Sequence, residues 1–278
     1  MGEVIKMDTK YIIGIIIAIV IIAGAIFLIG GEESETTNID IVGSTSVQPV
    51  AEGLSEEYMQ SHPQVRINVQ GGGSSVGIKS AQDGIADIGT SSKELDENEQ
   101  EGLTIYGFAK DGIVVAVNNE NQISDLTVDQ IQAIFSGEIT NWGEVGGSDG
   151  TINVVTREDG SGTLDAFNDI VMDAETKIKA DAIVQSSTEA VKQSVAQDPN
   201  GIGFISYASM SDDVKALAVN GVEISEDTIA DGSYLLQRPF FFIIKGQAQG
   251  AVKEFIDFVF SSEGAEIIKS ENLVPVEQ

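Results

Sequence analysis

The sequence predicts an α/β protein built on a mainly parallel sheet. After residue 38, short apolar runs of strand character alternate with amphipathic helical stretches, the pattern of layered α/β packing. Three of the junctions are Gly/Ser-rich turns that join a strand to a helix, at residues 43–46, 70–75 and 156–163. No fixed-period repeat or low-complexity tract is present, which excludes solenoids and propellers.

The first element is of another kind. Residues 11–29 form an uncharged apolar run, and at ~1.5 Å per helical residue it spans roughly 28 Å, about the thickness of bilayer hydrocarbon. A buried core helix would carry a polar face, and this run has none. Lys6 and Lys10 precede it, while Glu32, Glu33 and Glu35 follow. The positive-inside bias therefore makes residues 1–10 a cytoplasmic N-terminus, 11–30 a transmembrane anchor or signal segment and 31–38 a linker, with everything beyond exported. The run is longer than a usual signal core, and the small-residue pattern Ala23-Gly24-Ala25 lies inside it. A retained anchor at the cell membrane is the favoured expectation; a cleaved signal, leaving a secreted or periplasmic protein, is the alternative.

In the exported region, residues 39–42 read as a strand, followed by the first turn and a helix through Tyr58. Residues 65–69 alternate apolar and polar side chains, as a half-exposed strand does, and enter the second turn. Residues 86–89 and 112–117 are further strands. Residues 152–155 form the strand before the third turn, and residues 164–171 the helix after it. An apolar helix over residues 252–260 carries Phe255, Phe258 and Phe260, read as core aromatics. His62, beside Pro63, is read as a surface residue at a helix-to-strand turn.

Composition removes many chemistries. The 278 residues are 42% apolar and 21% charged, a globular balance, with a net charge of −29. Such an acidic chain is unsuited to nucleic acid or to anionic lipid. With no cysteine and one histidine, thiolate sites, disulfides and multi-histidine metal sites are impossible. The acidic run at residues 94–101 lacks a calcium-loop pattern and is read as solvated, so neither a metal nor a cofactor is expected.

The three turns point to an oxyanion. Each sets backbone N–H groups and hydroxyls at a helix N-terminus, where unpaired donors and a partial positive charge favour anions. Thr45, Ser74 and Ser161 taken singly would each be an ordinary helix cap. The third turn adds Arg157, one of only three arginines, whose planar fork suits an oxyanion. Competing motifs fail on the same residues. Lys79 is one position out of place for a nucleotide P-loop. Residues 73–77 fit Gly-x-Ser-x-Gly, but the sole histidine lies upstream of the serine, where a hydrolase of that type has it downstream. The third glycine of a dinucleotide fingerprint is Val76. No general base stands beside a nucleophile, so no catalytic residue and no enzymatic turnover are expected.

The chain resembles the periplasmic phosphate-binding proteins of phosphate ABC transporters, in their shorter form. The resemblance spans residues 39–276. It rests on Gly-Ser-Thr-Ser-Val-Gln-Pro-Val at 43–50, Gln-Gly-Gly-Gly-Ser-Ser at 70–75 and Ala-Asp-Ile-Gly-Thr-Ser-Ser at 86–92. Ile-Phe-Ser-Gly-Glu-Ile-Thr-Asn-Trp at 134–142, Arg-Glu-Asp-Gly-Ser-Gly-Thr at 157–163 and Gly-Ile-Gly-Phe-Ile-Ser at 201–206 complete it. The resemblance implies a two-lobed periplasmic-binding-protein fold of type II, with residues 39–114 plus 232–278 as one lobe, 115–231 as the other and the ligand cleft between them. It implies a monomer that hands inorganic phosphate to an ABC transporter permease. Its alternatives are a binder of molybdate or tungstate, and a phosphate sensor or phosphatase-like surface protein.

Carried over by position, the implied phosphate ligands are Thr45, Ser46, Ser74, Ser92, Arg157, Asp159, Ser161, Gly162 and Thr163. Asp159 matches an acidic residue that accepts the ligand's proton; as a buried carboxylate it would repel sulfate, which has no proton to give. Its other reading is a turn residue bonding its own backbone. The longer members of the family carry an aspartate where this chain has Ser92.

Overall fold

The computed structural model describes residues 36–172 and 175–277. The expected anchor, residues 11–30, lies outside the described residues, as does most of the linker. Residues 37–278 form one compact unit.

The elements alternate as the pattern implies. Strand β1 (Thr37–Gly43) leads into α1 (Gln48–Ser61), and β2 (Val65–Gly71) into α2 (Ser74–Asp83). Then come β3 (Ile88–Ser91), the 16-residue β4 (Leu103–Asn118), the short β5 (Asp125–Leu126) and α3 (Val128–Ser136). Strand β6 (Asn153–Arg157) precedes α4 (Gly162–Val171), and β7 (Ile183–Gln185) precedes α5 (Thr188–Gln197). They are followed by β8 (Gly201–Ser206), β9 (Val214–Ala216), β10 (Ala218–Val219) and α6 (Glu226–Ala230). The chain closes with β11 (Gln237–Lys245), α7 (Gly250–Val259), α8 (Ser262–Ser270) and β12 (Val274–Pro275).

One ten-stranded sheet runs in the order β2-β1-β3-β11-β4-β8-β6-β7, with β9 and β12 also on β4. Its two ends are parallel, β1 with β2 and β3, and β6 with β7 and β8. Its middle is antiparallel, where β4 pairs with β11 and β8. The expected mainly parallel sheet is therefore mixed. The difference has a topological cause: β4 and β11 carry the chain across the middle in opposite directions.

Of the apolar clusters among the described residues, the two largest lie along this sheet. Ile39, Ile41, Leu54, Phe108, Phe242 and Phe255 centre the first, with Phe108 stacked on Phe242 at 4.3 Å. Phe258 and Phe260 pack against it, so the helix aromatics are core residues. Ile113, Val115, Phe135, Phe167 and Phe204 centre the second, with Phe167 stacked on Phe204 at 4.2 Å. Along β4 the change of cluster falls between Ala109 and Ile113, and at the start of β11 it falls between Leu236, just before the strand, and Phe240. Asp111 and Arg238 occupy these two junctions as register partners. His62 is half-buried at the end of α1, where its ring stacks on Tyr58 at 4.0 Å.

Candidate functional site

Four strand-to-helix turns meet at one place. Pro49 in the first turn of α1 suits a helix start, where its missing N–H is no loss. Gly73 caps α2 with φ of 93°, a left-handed conformation that favours glycine, and a Cβ there would meet Gly160 O at 2.9 Å. The second and third turns therefore touch, and the Ser75 amide donates to Gly160 O at 3.2 Å. Ser161 caps α4 by accepting from the Leu164 amide, and Ser187 caps α5 by accepting from Ala190. Gly162 sits so close to α2 that an added Cβ would lie 2.2 Å from Ser74 Oγ and 2.8 Å from Ser92 Oγ. Only a residue without a side chain fits.

This convergence gathers hydroxyls from distant stretches into a buried cluster. Ser46 Oγ lies 2.9 Å from both Thr163 Oγ1 and Thr188 Oγ1. Thr45 Oγ1 is 3.3 Å from Thr188 Oγ1 and accepts the Thr188 amide at 3.3 Å. Ser44 Oγ donates to Ser92 Oγ at 2.8 Å, and the Ser92 amide donates to Ser74 Oγ at 3.1 Å.

Two buried guanidiniums border the cluster. Arg157, at the end of β6, gives Nε and Nη2 to the two Glu158 oxygens at 2.9 and 3.0 Å, which turns Nη1 towards Thr188 Oγ1 at 3.3 Å. Arg238, on β11, gives Nε and Nη2 to Asp111 Oδ2 at 2.9 and 2.8 Å and Nη1 to Ser92 Oγ at 3.3 Å. Asp111 Oδ1 accepts from Ser206 Oγ and from the Tyr207 amide. Burial pushes the Asp111 carboxyl up, against the pull of Arg238. Burial also lowers Arg238, with Asp111 opposing and the nearby charge of Arg157 adding to the fall. Each cation has its own carboxylate, so the local charge is balanced and the net −29 of the chain does not set the local field. What the site offers a guest is an excess of hydrogen-bond donors, and that suits an oxyanion.

Of the residues singled out in the sequence, Ser46, Ser74, Ser92, Arg157, Ser161, Gly162 and Thr163 are buried here, and Thr45 is half-buried beside them. Asp159 is placed otherwise. It stands exposed on the turn after Glu158, and the expectation of a buried carboxylate at that position is corrected. Neighbouring side chains on the turn point apart: Glu158 turns in to Arg157 and Asp159 turns out. Sequence reasoning missed Ser44, Asp111, Thr188 and Arg238. Arg238 shared with Arg157 the rarity of arginine here, and it interrupts an apolar strand, itself a signal of a buried ion pair. Residues 185–188 formed a fourth strand-to-helix turn of the same kind. Lys93 Nζ, just after β3, bridges to Glu99 at 3.2 Å and to Asp165 on α4 at 3.3 Å.

Comparison with known proteins agrees with this arrangement. The model of the PBP superfamily domain matches residues 30–263. The chain is 33% identical to the phosphate-binding protein PstS of Bacillus subtilis over 251 residues, covering 88% of this chain and 83% of the relative. It is 40% identical to a substrate-binding protein of Clostridium perfringens solved with bound phosphate, at a TM-score of 0.84, covering 87% of this chain and all of that one (100%). An ABC-type phosphate transport receptor from Vibrio cholerae is 36% identical with a TM-score of 0.71, covering 85% of this chain and 99% of that one. The chain belongs to the PBP superfamily and, within it, to the family of the phosphate-binding protein PstS.

Proposed function

We propose that this protein captures inorganic phosphate on the outer side of the cytoplasmic membrane and delivers it to the permease of an ABC transporter. Its role is binding, without turnover. The observation that carries the reading is the convergence of four helix N-terminal turns, their hydroxyls and Arg157 Nη1 on one buried place. Thr45, Ser46, Ser74, Ser92, Arg157, Ser161, Gly162 and Thr163 are the proposed ligands. Asp159, exposed on the turn after Glu158, is not among them.

The two apolar clusters support a reading of the chain as two lobes, 39–114 plus 232–278 and 115–231, that close on the anion. Contacts made only when the lobes meet, such as Ser46 with Thr163 and Lys93 with Asp165, would then favour the closed state. A monomer tethered by residues 11–30 suits such a carrier. The test is isothermal titration of the purified protein with phosphate, paired with native mass spectrometry. One phosphate per chain supports the reading. Absence of binding, or tighter binding of molybdate, refutes it.

A further inference from the structure

The largest cavity among the described residues, about 460 Å³, is a groove between α4 and the edge strand β7. Of the proposed phosphate ligands only Arg157 borders it, so it is separate from the hydroxyl cluster. The groove follows from where the sheet ends. Strand β7 has three residues and no strand beyond it, so the face that β6 and β7 turn towards α4 is incompletely covered. Leu164, Asn168 and Met172 recur every fourth residue along α4 and its end, and form one stripe over the groove. Thr156 and Val184 are register partners and share its floor. The outer wall runs through Lys177 and Ala182, and is tied down where the Lys179 amide donates to Phe135 O at 2.8 Å and the Ala182 amide to Lys179 O at 3.2 Å.

Polar groups without partners stand among these apolar walls. Thr156 is 6% exposed, and its Oγ1 has no hydrogen-bond partner. Among the described residues, the Asn168 amide and the Lys177 ammonium likewise make neither a side-chain hydrogen bond nor an ion pair. Lys179 pairs with Asp181 at 3.4 Å, a carboxylate that stays exposed. Two lysines on one rim stand out in a chain of 44 acids and 15 bases. Thr156 marks the buried end of the groove, and exposed Lys177 the open end.

We propose that this groove binds a small aromatic carboxylate, its ring between Leu164, Met172 and Val184, its carboxylate on Lys177 and Lys179, and a hydroxyl at the far end turned to Thr156 and Asn168. A cavity of this volume, with apolar walls and a few convergent polar groups, is the setting of a small-molecule site. The Met172 sulfur favours the edge of a ring. Ammonium groups take a carboxylate by charge-assisted hydrogen bonds. A threonine hydroxyl both donates and accepts, so a phenol can pair with it. The proposal does not depend on the phosphate reading.

The experiment is calorimetry on the full chain with phosphate in excess throughout, which keeps the anion site occupied. The probe is p-hydroxyphenylpropionate, and phenylpropionate, which lacks the hydroxyl, is the control. Expected is one probe per chain with a dissociation constant of roughly 1 mM or tighter, and weaker binding of the control. Thr156→Val is expected to weaken the probe about 2- to 10-fold and to leave the control unchanged. The ligand-free melting temperature of that variant is expected to stay level or rise, because a buried unpaired hydroxyl is removed. Lys177→Gln is expected to weaken both compounds about 2- to 5-fold. No binding by about ten times the expected constant overturns the proposal, as do equal affinities for probe and control, or affinities untouched by both substitutions. Displacement of the probe by further phosphate places it in the anion site and also overturns the proposal. If Thr156→Val does not fold, Ala182→Trp, which fills the groove, decides: lost binding supports the proposal and retained binding overturns it.

Discussion

Gly162→Ala separates anion binding from folding. The Cβ that this substitution adds would lie 2.2 Å from Ser74 Oγ, 2.8 Å from Ser92 Oγ and 2.9 Å from Ser74 Cβ. The Ser74 hydroxyl can rotate, but its Cβ is fixed by the first turn of α2, so α4 and α2 must move apart. Overpacking of this kind costs about 1–3 kcal/mol. On the two-lobed reading proposed above, the cost falls on the closed arrangement, because the methyl group has room once the two turns part. Gly162 is also the first residue of α4, where replacing glycine by alanine gains up to about 1 kcal/mol of helix stability. Phosphate affinity by calorimetry is therefore expected to fall about 5- to 150-fold, while the ligand-free melting temperature stays level or rises. Unchanged affinity in Gly162→Ala would refute the claim that phosphate is held in this closed packing. A large drop in ligand-free stability would refute the claim that the contact belongs to closure.

Other substitutions probe single groups. Arg157→Lys removes the fork that Glu158 orients, and affinity by calorimetry is expected to fall at least about tenfold, since hydrogen bonds to charged groups contribute about 1.5–3 kcal/mol. Arg238→Met leaves Asp111 buried and unpaired, and urea denaturation is expected to show a loss of about 3–5 kcal/mol, much of it recovered in the double variant with Asp111→Asn. The Lys93 ammonium has its pKa raised: burial lowers it, but Asp165 and Glu99 more than offset that. A raised lysine pKa means that the bridge is fully present below the ordinary lysine range and is lost as pH rises through the higher folded value. Lys93→Met is accordingly expected to speed phosphate release a few-fold near neutrality, in stopped-flow measurements, and to match the unsubstituted protein only in strong alkali.

The legible part of the site was the part written locally. A helix start needs a cap and free N–H groups within a few residues, so Thr45, Ser74, Ser161 and Arg157 could be read from turns alone. The Asp111–Arg238 pair is made across 127 positions by the register of β4 with β11, and no local pattern encodes that register. The length of β4 was hidden for a related reason. Gly107, Lys110 and Asp111 interrupt its apolar run, so only its second half, from residue 112, read as a strand. Asp159 shows the converse limit: two adjacent acids on a turn look equivalent in sequence, and only the path of the backbone decides which one faces inward.

The unbroken path of β4 past the two largest apolar clusters bears on motion. β11 is bonded to β4 over residues 103–112 only, with a register irregularity at Phe240 and Phe241, and beyond them β4 pairs with β8 and β9. On the two-lobed reading proposed above, opening bends the single strap of β4 near Gly112, where its pairing with β11 ends. A strap stores bending as elastic strain and returns it. Swings of this molecule should thus be short in amplitude and quick to reverse, a spring clip more than a door.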